Sequence, residues 1–351
     1  DVETKEHLAV AKRASDESIV LLKNDGILPI DKNKTKVISV IGPNADSRAC
    51  LVGNYYGTSS EYITALEGIR NAAGDDTRIL YTEGCDLSIP KPDFLSREYH
   101  RIAEAKAVMS RADLVVLVIG LNENLEGEEG DQGNQYKSGD KPDLLFPKTQ
   151  RKLIDTVIAS GKPFITVVMA GSAMDLSVLN DKASAILQAW YPGARGGQSI
   201  GDILFGKVIP SGKLPVTFYK DTNDLPDFED YSMKGRTYRY LETEPLYPFG
   251  YGLTYGKMDI TAVDKFGDDP KNNGLTIKAD VKNTGDIASS EVVQVYLKAD
   301  DINEVKNTRL AAFARITLGA GETSSVEIKI PASRFTVVND AGERIPAEGK
   351  S

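Results

Sequence analysis

Short runs of apolar, mostly β-branched residues recur along the first 190 positions: Lys36–Gly42, Arg78–Tyr81, Leu114–Gly120, Phe164–Met169 and Ala185–Trp190. Runs with almost no polar interruption predict strands buried on both faces. Between them, Ile63–Ala72, Arg97–Ser110 and Thr149–Ala159 read as helices, so strand and helix alternate. That alternation predicts a doubly wound α/β sandwich with a mostly parallel sheet. The opening stretch, His7–Leu22, sets Ala11, Ala14, Ser18, Leu21 and Leu22 three and four apart. It predicts one more amphipathic helix, ended by Gly26.

The texture changes after Pro248. Asp259–Val263, Leu275–Val281, Val292–Leu297 and Ser325–Ile330 alternate apolar and polar positions. A period of two with one wet face predicts antiparallel strands. Turn signals at Asn283-Thr284-Gly285, Gly319-Ala320-Gly321 and Asn339-Asp340-Ala341-Gly342 separate them, which predicts an all-β sandwich of the fibronectin type III kind. The expected organisation is an α/β domain over 1–220, a linker over 221–255 and the sandwich over 256–351.

Composition narrows the function classes. With 351 residues, 41% hydrophobic and 26% charged, the chain suits two ordinary globular domains. A net charge of −9 argues against nucleic acid and anionic membrane surfaces, which call for clustered Lys and Arg. Cys50 and Cys85 lack CxxC spacing, implying neither a disulfide framework nor a zinc knuckle, although one bridge between them is compatible. No apolar run approaches the roughly 20 residues that span a bilayer. Asp1-Val2-Glu3-Thr4 is neither an initiator Met nor a basic signal start, so the chain is expected to begin after another segment. A soluble protein is expected, either cytoplasmic or secreted.

Several chemistries drop out. Neither Gly-x-Gly-x-x-Gly nor a P-loop follows a strand, and Gly-x-Ser-x-Gly is absent, Met169-Ala170-Gly171-Ser172-Ala173 being a distant echo. His7 and His100, the two histidines, lie far from the acidic loop described next, so neither a Ser-His relay nor a His-rich metal site is expected. That loop, Leu121-Asn122-Glu123-Asn124-Leu125-Glu126-Gly127-Glu128-Glu129-Gly130-Asp131-Gln132, leaves the carboxyl end of a predicted strand, where open α/β sheets bind ligands. Read blandly, it is a solvated acidic run. Asp131, Asp140 and Glu126 could reach a hard cation but lack EF-hand spacing, so no metal and no cofactor is expected. Gly53-Asn54-Tyr55-Tyr56-Gly57-Thr58 reads either as an ordinary turn or as a platform for the apolar face of a sugar.

Two stretches carry a resemblance. Trp190-Tyr191-Pro192-Gly193-Ala194-Arg195-Gly196-Gly197-Gln198, running on to Pro210-Ser211-Gly212-Lys213-Leu214-Pro215, and Pro245-Leu246-Tyr247-Pro248-Phe249-Gly250-Tyr251-Gly252-Leu253-Thr254-Tyr255 resemble the carboxy-terminal half of family 3 glycoside hydrolases. The resemblance implies a retaining, exo-acting β-glucosidase or β-xylosidase whose nucleophilic Asp belongs to an amino-terminal barrel. That barrel would stand in the same polypeptide or in a partner chain. The acidic loop resembles the family's Glu-x-Glu-x-x-Asp segment at Glu126, Glu128 and Asp131. The match implies Glu128 as acid/base, with Glu126 and Glu129 as alternatives, and Asp131 as a substrate-binding residue; Gly53–Thr58 also resembles a loop of the xylosidase-like and glucosidase-like branches, which implies Tyr55 and Tyr56 as substrate-binding residues. A raised carboxyl pKa suits a proton donor, and acidic neighbours raise one another's. The family's Arg after the Asp is Gln132 here, with Gly139-Asp140-Lys141 as a candidate replacement. Gly235-Arg236-Thr237-Tyr238-Arg239-Tyr240 is also familiar from the family and reads as reaching the barrel or as interdomain packing. The family usually closes its sandwich with one further strand, so an unpaired sheet edge is expected. Alone, the chain is expected to be inactive; the competing reading is a non-catalytic carbohydrate-binding or structural module. Homo-oligomerisation stays open.

Overall fold

The computed structural model describes residues 2–91, 97, 99–127, 141–227, 229–298, 307–339 and 341–347. The first domain runs α1 (Lys5–Ser18), β1 (Val20–Asn24), β2 (Val37–Ile41), α2 (Ala65–Ala73), β3 (Arg78–Thr82), α3 (Arg101–Met109), β4 (Leu114–Gly120), α4 (Lys148–Ala159), β5 (Phe164–Met169), α5 (Ser177–Lys182), β6 (Ala185–Gln188) and α6 (Gly196–Leu204). Its six strands lie in the order β1-β6-β5-β4-β2-β3. Every pair is parallel except β1 with β6.

The apolar runs behave as their composition demands. Along β4, Val115, Leu117 and Ile119 enter one core, with Ile102, Ala105 and Met109 of α3 and Leu153, Ile154 and Val157 of α4. Leu114, Val116 and Val118 enter the other, with Leu66 and Ile69 of α2 and Ile200, Ile203 and Leu204 of α6. Three layers result, and each fully buried aliphatic side chain contributes about 1.5–3 kcal/mol.

The opening helix is shorter than expected. Thr4 caps its start, but it ends at Ser18, and Leu21 and Leu22 belong to β1. Ile19 and Leu21 face one core while Val20 and Leu22 face the other. Four consecutive apolar residues feeding two opposite cores require strand geometry, because a helix would turn one of those pairs away.

Helices α2 and α6 cross in backbone contact. A Cβ added to Gly68 would stand 1.7 Å from the Gly197 carbonyl oxygen, and one added to Gly197 would stand 1.9 Å from that of Thr64. Only glycine allows this approach, and it fixes the segment that leads into α6.

The sandwich is built from β7 (Met258–Phe266), β8 (Leu275–Asn283), β9 (Ser289–Leu297), β10 (Arg309–Leu318) and β11 (Thr323–Ile330), followed by a ribbon of β12 (Thr336–Val338) and β13 (Arg344–Pro346). Strands β11-β8-β7 form one sheet and β10-β9 the other, with antiparallel pairing throughout. Strand β10 escaped the sequence reading because it packs inward mainly with Ala312, Ala314 and Ile316 while Phe313 points outward, 65% exposed. Alanines carry little hydrophobic signal.

The end of the expected linker is fastened to the α/β domain. Leu214 N donates to Tyr251 O at 2.8 Å, Gly250 N to Leu214 O at 2.7 Å and Leu253 N to Leu21 O at 2.8 Å. The sandwich joins the same region through Lys213–Glu291 at 2.6 Å, Arg315 to Ser211 Oγ at 2.8 Å and Leu310 N donating to Tyr238 Oη at 3.1 Å, with Tyr238 stacked in turn on Phe249 of the linker at 4.2 Å.

Candidate active site

Strand order reverses between β2 and β4, which makes their carboxyl ends the switch point where ligands enter such sheets. The chain leaves β4 through a turn in which Leu125 N and Glu126 N both donate to Asn122 O at 3.0 Å. Leu121 and Leu125 are buried, anchoring the turn on one core. Glu126 projects beyond it and is met by three donors from two neighbouring loops. Gly171 N, after β5, donates to Oε2 at 2.6 Å; Ser172 Oγ donates to Oε1; and Tyr191 Oη, after β6, donates to Oε2.

Burial, followed by the charge of Glu126, pushes the Tyr191 phenol well above its ordinary value, so it stays protonated and acts as donor. Its direction follows from Trp190, which has φ +57, a left-handed conformation rare for a bulky side chain. The indole N–H donates to Ser18 O at 3.0 Å and the ring meets Phe218 edge-on at 6.1 Å, which holds the strained residue. Gly171 leaves room for this arrangement: a Cβ there would lie 3.1 Å from the Tyr191 ring and 3.2 Å from Glu126 Oε2.

The aromatic loop also approaches Tyr191, where a Cβ on Gly53 would touch the ring at 3.4 Å. Tyr55 is 89% exposed and Tyr56 52%, and Tyr55 has φ +61. The loop is tied by Glu3, whose carboxylate accepts from Ser59 Oγ at 2.6 Å and Ser60 N at 3.0 Å. These bonds, that from Ser59 foremost, hold the Glu3 carboxyl down at about 2.

Two further charges face this edge. Burial raises the pKa of Glu123, and its Oε2 is buried with no hydrogen-bond partner among the described residues. Lys141 Nζ donates to Ala173 O at 2.8 Å; burial lowers its pKa, while Glu126 and Asp143 raise it.

Among the residues singled out from sequence, Glu126, Tyr55 and Tyr56 therefore stand on loops that meet around Tyr191. Glu128, Glu129 and Asp131 lie outside the described residues. Sequence reasoning assigned no site role to Tyr191 and Ser172, and offered Lys141 only within Gly139-Asp140-Lys141 as a replacement for the family's Arg. Tyr191 stood inside a motif valued only for its resemblance, and Ser172 in the echo set aside above. The cysteines are free and buried, Cys50 in one core and Cys85 in the other, with no bridge between them. No group of three or more metal-ligating side chains occurs among the described residues, and no described helix is long and apolar enough to cross a membrane.

A doubly wound α/β domain with a polar site at its switch point, carrying a fibronectin-type sandwich, is the class of protein that fold and site define. Residues 19–255 match the glycosyl hydrolase family 3 C-terminal domain, and residues 291–350 match the fibronectin type III-like domain. The chain belongs to glycosyl hydrolase family 3. It is 32% identical over 366 residues to a beta-xylosidase of Formosa agariphila, covering 99% of this chain and 48% of that protein. It is 34% identical over 369 residues to a periplasmic beta-glucosidase of Salmonella typhimurium, covering 95% and 46%. A solved β-glucosidase from Erythrobacter marinus superimposes with a TM-score of 0.83 at 31% identity, over 98% of this chain and 48% of that one. The chain thus spans about half the length of the relatives it matches.

Proposed function

We propose that this chain supplies the acid/base carboxylate, Glu128, of a retaining exo-acting β-glucosidase or β-xylosidase. A barrel domain, in the same polypeptide or a partner chain, brings the nucleophilic carboxylate and most of the sugar pocket. The observation that carries this reading is the fastening of Glu126 at the carboxyl edge by Gly171 and Tyr191, because it holds the start of the acidic segment against the same Tyr191 ring that the loop bearing the exposed Tyr55 and Tyr56 approaches through Gly53. Both oxygens of Glu126 already accept bonds from the protein's own donors, which favours Glu128, two positions on, over Glu126 as the group that meets substrate.

In the first step the nucleophile attacks the anomeric carbon, the glycosidic C–O bond breaks, and Glu128 passes its proton to the departing oxygen. In the second, the Glu128 carboxylate takes a proton from the water that hydrolyses the glycosyl intermediate. The two carboxyl groups would stand roughly 5 to 5.5 Å apart, as retention requires. Tyr55 and Tyr56 offer ring faces to the sugar and Asp131 a hydrogen-bond acceptor.

The test combines this chain with the barrel and compares Glu128→Gln with the unsubstituted pair. Expected is a loss of about 10²–10⁴ in kcat/KM on alkyl glycosides, whose leaving oxygens need the proton, and a much smaller loss on 2,4-dinitrophenyl glycosides. Equal losses on both would refute the acid role. No hydrolysis on combining the two would favour a non-catalytic carbohydrate-binding or structural module.

A further inference from the structure

The connection between β4 and α4 leaves the sheet at Gly120 and re-enters helix at Lys148. Both of its described ends are fastened to one short loop, Gly171–Met174, which follows β5. The leading end is held by Glu126, which accepts from Gly171 N at 2.6 Å and from Ser172 Oγ. The trailing end is held by Lys141, whose Nζ donates to Ala173 O at 2.8 Å and meets Met174 Sδ at 3.3 Å. Four consecutive residues of one loop therefore hold both ends. Met174 is itself fully buried, which makes that loop a firm base.

The two fastenings are also coupled electrostatically. Lys141 is drawn out of water against neutral acceptors, a carbonyl and a thioether, and burial works against its charge. The carboxylates of Glu126 and Asp143 offset that cost. Removing either fastening lengthens the free span between the points that hold the connection, and its conformational entropy grows with the logarithm of that span, by about 0.6 kcal/mol for each doubling.

We propose that Lys141 and Glu126 are positioning residues that hold the two ends of the β4–α4 connection on Gly171–Met174 and thereby fix where the proton donor of the proposed reaction stands. The inference rests on the glycosidase reading above. It assigns Lys141 no contact with substrate.

The experiment uses this chain combined with the barrel and a series of β-glucosides and β-xylosides whose leaving groups run from methanol to 2,4-dinitrophenol. Lys141→Met should lower kcat/KM on the alkyl members roughly tenfold or more, a displacement of about 1 Å being able to cost 10²-fold. It should change the dinitrophenyl members less than about twofold and leave KM nearly unchanged, because proton donation matters least for good leaving groups. Lys141→Arg should restore most of the loss. In this chain alone, hydrogen exchange at the Gly171 amide should quicken in Lys141→Met and in Ser172→Ala, a readout that needs no barrel and no turnover. If Glu128→Gln shows the leaving-group dependence but Lys141→Met does not, the positioning role is refuted while the glycosidase reading stands. If Glu128→Gln shows no such dependence, the acid role of Glu128 on which this inference rests fails, and unchanged Gly171 exchange in both variants refutes the two-ended fastening independently. Should Lys141→Met fail to fold, Lys141→Arg and Ser172→Ala carry the same comparison.

Discussion

Replacing Gly68 by Ala tests the contact that seats the start of α6. A methyl group there would lie 1.7 Å from the Gly197 carbonyl oxygen, where real Cβ contacts begin at about 3.0 Å, so α2 and α6 would have to separate by at least 1.3 Å. Their facing side chains, Leu66, Ile69, Ile200, Ile203 and Leu204, are at most 1% exposed. A gap of 0.5–1 Å already forfeits a quarter to a half of a dispersion contact. Overpacking of this kind costs about 3 kcal/mol, offset by the roughly 1 kcal/mol that Ala gains over Gly within a helix. A net loss of about 2 kcal/mol is expected in urea denaturation, together with faster exchange of the Gly197 amide, which donates to Ile63 O at 3.0 Å. The sign is decisive. If the helices did not touch at this point, helix propensity alone would act and the substitution would stabilise the chain, which would refute the packing argument.

Tyr191→Phe removes one donor from Glu126 but leaves those of Gly171 and Ser172, so a loss of about 2 kcal/mol in urea unfolding is expected, the scale of a hydrogen bond to a charged group. The Glu3 carboxyl is lowered to about 2 from an ordinary 4.5. Its hold on Ser59 and Ser60 should therefore be complete above 4.5 and fade as pH falls toward 2. Exchange at the Ser60 amide should follow that window in the parent chain and lose the dependence in Glu3→Gln. Burial pushes the Cys50 thiol up to about 12 and raises Cys85 further, so a thiol reagent at pH 8 should modify neither in the folded chain and both after unfolding. Leu117→Ala, at a fully buried position of the central strand β4, should cost roughly 3–5 kcal/mol.

Much of the fold could be read along the chain because its strands are buried on both faces. Leu114–Gly120 and Phe164–Met169 are apolar without interruption, and nothing except a central parallel strand suits such a run between amphipathic helices. Reading failed where one chemical pattern served two geometries. Ile19-Val20-Leu21-Leu22 continues a helix by spacing alone, and only pairing with β6 turns it into a strand. Strand β10 failed for the opposite reason, because its inward positions are largely alanine.

The candidate site divides in the same way. Composition and local spacing determined that an acidic segment leaves the carboxyl end of a buried strand and that an aromatic loop stands elsewhere in the chain, while the resemblance of the long glycine-bearing motifs pointed to the family. Only the tertiary structure decided that Glu126 would be held by Gly171, Ser172 and Tyr191, residues 45, 46 and 65 positions away, or that Lys141 would return to the same loop. The physical reason is that burial and periodicity are properties of neighbouring residues, which the sequence states directly. A hydrogen bond between loops depends on strand order and on the close passage of backbones, and those exist only once the sheet has assembled.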